Sequence, residues 1–102
     1  MPQAVHDTLT ALGRDIRRAR IRRRISSADL ALRSLVSRPT ILKVEKGDPS
    51  VSFGTVVHVL WVMGLLDRVS GLLRDDPVGE SLEGRNARVR VGRKDRKDEF
   101  DF

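Results

Sequence analysis

Helix start and stop signals crowd the segment from Ile25 to Pro49, and they leave room for little besides two short helices and a tight turn. Ser26 followed by Asp29 has the spacing of a capping box, with Asp in place of the usual Glu. A short helix follows, with Ala28, Leu30, Ala31 and Leu32 expected mostly inward. Ser34-Leu35-Val36 is too short for anything but a tight turn. Ser37 is a good N-cap for the next helix, and Pro39 falls in its first turn, where a missing N–H costs nothing. Ile41 and Val44 take the core side, Gly47 ends the helix, and Asp48-Pro49 keeps it from resuming. A short helix, a turn and a second, capped helix within the span Ser26 to Glu45 is the pattern of a helix-turn-helix.

The flanks read as helical too. Leu9, Leu12, Ile16, Ala19 and Arg23 recur at three- and four-residue steps, which predicts a helix from about Thr8 to Arg24, capped by Asp7 or Thr8. Its other face carries Arg14, Arg17, Arg18, Arg22 and Arg24. Between Ser52 and Met63 the β-branched Val56, Val57, Val59 and Val62 favour a strand by propensity. Ser52 as N-cap, Gly64 as stop and the helical surroundings favour a helix, and we read one. Only His58 is polar between Val56 and Met63, so this helix must bury a second face, and a partner subunit is the natural cover. That places Val56, Val59, Leu60 and Met63 at a dimer interface. A last helix, Leu66 to Leu73, offers Leu66, Val69, Leu72 and Leu73. The expectation is one all-α domain of five helices over 8–74, a short extension at 1–7, and a flexible, mostly irregular charged tail at 75–102. Within that tail Ala87–Val91 alternates with period two, which suits either a strand added to another chain's edge or a solvated basic linker.

Charge narrows the partners. Residues 1–73 hold twelve Arg and Lys against six Asp and Glu, while residues 74–102 hold eight of each. The whole net charge of +6 therefore belongs to the helical part, and a basic surface attracts polyanions, nucleic acid first. With no cysteine there is no disulfide framework and no thiolate metal site. His6 and His58 are isolated, and no Gly-rich phosphate loop or metal-ligand spacing occurs, so we expect neither an enzyme nor a cofactor nor a bound metal. No run approaches the roughly 18 apolar residues of a membrane span, and no signal segment is evident; a cytoplasmic protein with no membrane partner is the expectation.

The runs Ile25 to Ala31, Val36 to Ile41 and Val44 to Ser52 resemble the Xre-type helix-turn-helix of phage repressors. The run Val44 to Ser52, Val59 to Arg68 and Asp76-Pro77-Val78-Gly79 are similar to HipB-like antitoxins, which pair with HipA-type toxin kinases. The resemblance covers about residues 9 to 80. It implies a phage-repressor-like fold and a homodimeric repressor on an inverted-repeat operator of double-stranded DNA. It further implies a toxin–antitoxin operon, with a HipA-like kinase as second partner. A free-standing repressor, or a toxin-neutralising module with incidental DNA binding, remains open beside it. It also implies that Arg20 pairs with Glu45. Two positions depart from the pattern: Leu35 stands where the turn usually has glycine, and Ser27 where glutamine is common.

A recognition helix presents its first residues, and those one exposed turn later, to the major groove. Here these are Arg38, Pro39, Thr40 and Lys43. Arg38 can bond a guanine edge or only a phosphate; Lys43 can reach either; Thr40 suits a thymine methyl or phosphate; Pro39 offers apolar contact. Ser26, Ser27 and Ser37 lie at helix N-termini, where they serve phosphate binding or act as caps alone. Lys46, with Arg22 and Arg23, reads as a general phosphate attractant or a solvated charge.

Overall fold

A computed structural model of the chain describes residues 1–89, with side-chain surroundings through Asn86. The described residues are all-helical, with six helices: α1 (Gln3–Arg22), α2 (Ser27–Ser34), α3 (Arg38–Lys46), α4 (Phe53–Val62), α5 (Asp67–Ser70) and α6 (Pro77–Val89). They part into two compact units, the first spanning Met1–Ser70 and the second beginning at Gly71. No helix among the described residues is long and apolar enough to cross a membrane.

Local chemistry sets most of the boundaries. Ser26, Ser37 and Ser52 each stand in extended conformation, and each side chain accepts the N–H three residues on, from Asp29, Thr40 and Thr55. The capping box at Ser26 is only half formed, because the Asp29 carboxylate pairs forward with Arg33 at 3.0 Å. Gly47 (φ 73°) and Gly64 (φ 77°) take left-handed conformations that end α3 and α4. Leu35 ends α2 in the same conformation, φ 58° and ψ 37°, where a Cβ is costly.

Several expectations need correction. α1 starts at Gln3, five residues before Thr8: Pro2 caps it, and the Thr8 hydroxyl donates back to the Ala4 carbonyl at 2.8 Å, so Thr8 is interior. Residues 3–7 are thus helix and not an extension. The helix read at Leu66–Leu73 shrinks to the single turn α5; Val69 packs on the core, while Leu72 and Leu73 are exposed. The tail is not irregular throughout. Pro77 occupies the first turn of α6, and the Asp76 carboxylate accepts the Gly79 N–H at 3.1 Å, which starts a helix through Val89. Ala87–Val89, read as the first part of an alternating segment, are helical, and Arg90 and Val91 lie outside the described residues.

The first unit's core consists of Ile16, Ala19, Leu30, Ala31, Ile41, Val44, Val59, Leu60 and Met63. Val59, Leu60 and Met63, expected at a dimer interface, are covered by the chain's own helices. Val56 is half-buried against the same core and lines a groove with Leu9, Leu12, Val51 and Phe53. An apolar helix announces that it must be covered, but not by which neighbour. In α2 the inward positions are Leu30, Ala31 and Ser34, one stripe at three- and four-residue steps; Leu32 faces out, 74% exposed, and Ala28 is exposed as well.

α1 and α3 touch backbone to backbone at Gly13. A Cβ there would lie 2.7 Å from the Glu45 carbonyl oxygen and the Gly47 nitrogen, and 2.8 Å from the Val44 carbonyl oxygen. This contact sets how near the end of α3 approaches α1.

Candidate nucleic-acid interface

The orientation of α3 depends on a charged clasp. Arg20 of α1 donates from Nε to Glu45 Oε2 at 2.6 Å and from Nη2 to Oε1 at 3.2 Å, a two-pronged pairing. Its remaining nitrogen, Nη1, donates to the Ile25 carbonyl at 2.9 Å, in the link between α1 and α2. One guanidinium thus ties together α1, the start of α2 and the end of α3. Both side chains are nearly dry, 12% and 4% exposed.

Glu45 is the only acid in α3, and the clasp turns it inward. The outward side keeps Arg38, Pro39, Lys43 and Lys46, all exposed, and Thr40 is half-buried. That side carries three cations and no carboxylate of its own. Just past the helix, the Asp48 carboxyl is held below the ordinary aspartate range. The Ser50 backbone N–H, donating to Oδ1 at 2.8 Å, is the main cause, with the Ser50 hydroxyl and the Lys43 charge adding to it and partial desolvation opposing.

Arg38 Nε donates to Ser27 Oγ at 3.0 Å. This bond brings together two predicted residues from separate helices, and it puts the N-termini of α2 and α3 at one end of the unit. Each terminus carries partial positive charge from its unpaired N–H groups. Arg38, itself exposed, bridges them through this bond. Ser27, half-buried, positions Arg38. Ser26 and Ser37 act as caps; the Ser37 hydroxyl also meets that of Thr40 at 2.9 Å. Thr40 is drawn back toward its own helix start and is half-buried, while Arg38 and Lys43 are exposed.

Two structural roles were not read from the sequence, although Arg23 fell on the periodic face of α1. Arg23, read as a phosphate attractant or solvated charge, donates from Nε to the Met63 carbonyl at 3.1 Å and from Nη1 to the Ala19 carbonyl at 3.0 Å. It joins the ends of α1 and α4. Gly13 is the other; a glycine inside a helical pattern is the one cue that could have found it. No protein-family model, curated protein or solved structure matches the chain.

Proposed function

We propose that this protein is a sequence-specific DNA-binding transcriptional repressor that places α3 of a helix-turn-helix in the major groove, as a homodimer on an inverted repeat. The observation that carries this reading is the cationic outward side of α3, whose one acid is locked to Arg20 and whose first arginine spans two helix N-termini. Phosphates meet the helix N-termini, Lys43 and Lys46; the Arg38 fork meets a base edge. A dimer on DNA sets its half-sites about 10 base pairs apart, centre to centre.

The test is selection of duplexes from a randomised pool, followed by titration of the enriched duplex and a scrambled one at several salt concentrations. Arg38→Ala should weaken the enriched duplex by about 1–3 kcal/mol and flatten the preference. Lys46→Ala should weaken both duplexes alike and lower the salt slope by about one. If no duplex is enriched, the reading fails; if Arg38→Ala weakens both duplexes equally, Arg38 holds phosphate only. An antitoxin role with a HipA-like kinase rests on the sequence resemblance. Coelution with a kinase encoded beside this chain supports it, and a lone repressor gene favours the free-standing repressor.

A further inference from the structure

Among the described residues, Ser34 Oγ is the one buried side-chain oxygen or nitrogen without a hydrogen-bond partner. The residue is 2% exposed and lies on the inward stripe of α2. Folded proteins pair nearly all such groups, so an exception calls for a reason. Alanine would fill this place in the core without leaving a hydroxyl unpaired. Ser34 borders a hollow of about 400 Å³ between the end of α2 and the start of α4. The facing wall is the first turn of α4, with Ser52, Gly54 and Thr55, and one turn later the half-buried His58. Ser52 Oγ accepts the Thr55 N–H at 3.0 Å and meets its hydroxyl at 2.9 Å. The Gly54 N–H belongs to the first-turn donors that a helix itself leaves unpaired. Gly54 is a second oddity. Its backbone is not left-handed, and a Cβ on it would meet nothing nearer than Ser52 Oγ at 3.9 Å. Neither the chain's path nor its packing requires glycine there, although glycine weakens a helix.

We infer that this hollow binds a small organic anion, a carboxylate or a phosphate monoester, whose oxygens accept from the Ser34 hydroxyl and the Gly54 N–H. The sign of the ligand follows from the wall. No Asp or Glu lines the hollow, so the hydroxyls, the helix N–H and the imidazole need a ligand that brings acceptor oxygens. The start of a ten-residue helix adds partial positive charge aimed at the same place. No Lys or Arg lines it either, so recognition rests on directed donors and not on an ion pair. Glycine at 54 then has a purpose: without a Cβ, an anion's oxygen can come close to the backbone. The size of the ligand follows from the volume. Pockets that hold small organic molecules begin at about 300 Å³. A lone phosphate or carboxylate group leaves most of this hollow over, and Leu35 and Val36 give the rest an apolar wall for the ligand's body. The net charge of the helical part draws anions toward the site. None of these groups belongs to the outward side of α3, so the site stands apart from the proposed DNA contacts.

Amide NMR spectra of the full chain, titrated with phenyl phosphate and with benzoate at constant ionic strength, test it. Saturable shifts should gather around the hollow, at residues 34–36 and 52–58, and the probe that saturates at lower concentration names the head group. Benzyl alcohol, a similar body without the charge, should give no saturable shift. Ser34→Ala has no bond to lose in the free protein, so its unfolding midpoint should not fall, yet the anion should bind about tenfold more weakly. Gly54→Leu, at an open helical position, should keep the fold and abolish binding by filling the hollow. Shifts that grow without saturation and spread over the arginines of α1 show charge screening alone and overturn the proposal. So does saturable binding that both variants leave within twofold of wild type. If both variants weaken the enriched duplex while neither anion saturates, the hollow holds a DNA backbone phosphate and the small-anion site is refuted. The anion titrations need no duplex: a protein that binds these anions but enriches no duplex upholds the site and refutes the repressor.

Discussion

Removing Glu45 from the Arg20 clasp should cost far more than removing the clasp whole. In Glu45→Ala the Arg20 guanidinium, on a side chain only 12% exposed, keeps the Ile25 carbonyl and loses its counter-charge. An unpaired charge in that setting costs about 3 kcal/mol or somewhat more. A folded unit of this size is stable by about 4–10 kcal/mol, so the single change takes a large share and lowers Tm by roughly 12–24 °C. Arg20→Met/Glu45→Leu removes both charges and fills the space with apolar atoms. It forfeits the bond to Ile25, worth about 1 kcal/mol, and should lie within roughly that distance of wild type. Urea unfolding of wild type, Arg20→Met, Glu45→Leu and the double variant, followed by far-ultraviolet circular dichroism, gives all four corners of the cycle. The expected coupling is about 2 kcal/mol or more, with the double variant more stable than Glu45→Ala. If the two single losses simply add, the pair is not a dry, coupled clasp and the argument for how α3 is held collapses. DNA titration adds a second readout: the double variant should fold well yet bind the enriched duplex less tightly, because α3 has lost its anchor to α1.

Gly13→Ala should destabilise by about 2–3 kcal/mol, since the new methyl meets backbone atoms of α3 that cannot swing aside. A surface helical glycine would instead gain about 1 kcal/mol, and a raised Tm would show that α1 and α3 do not approach closely. For Asp48 the folded pKa lies below the unfolded one, so its contribution to stability is complete above the ordinary aspartate range and fades as pH falls through the lowered value. Asp48→Asn should therefore be less stable than wild type at neutral pH and converge with it in acid; a gap that stays constant into acid would contradict the Ser50 bond as its source.

The residues of the proposed DNA interface are legible in the sequence because helix capping is local. Ser26, Ser37 and Ser52 each satisfy an N–H three residues away, and Gly47 and Gly64 stop helices by their own backbone freedom. Interactions confined to four neighbouring residues leave their mark in spacing. The all-helical class and the exposed line Arg38, Pro39, Lys43 and Lys46 follow from them. Which side of an apolar helix the core takes is a different kind of question. α4 is apolar on almost every side, and only the placement of the other helices decides that Val59, Leu60 and Met63 are buried while Trp61 is not. The same holds for Arg23, whose partner is forty residues away, and for Gly13, whose absent side chain matters only because α3 lies against it. α1 starts before its sequence-based bound and α6 forms where no helix was expected, for a related reason: Thr8 and Asp76 each have a local bond to offer, and the backbone around them decides whether it caps a helix or extends one. Charge at +6 sets the expectation of a polyanionic partner from sequence alone. Tertiary structure turns Glu45 inward and lays Arg38 across two helix starts, because a carboxylate and a guanidinium distant in sequence meet only once the chain has folded.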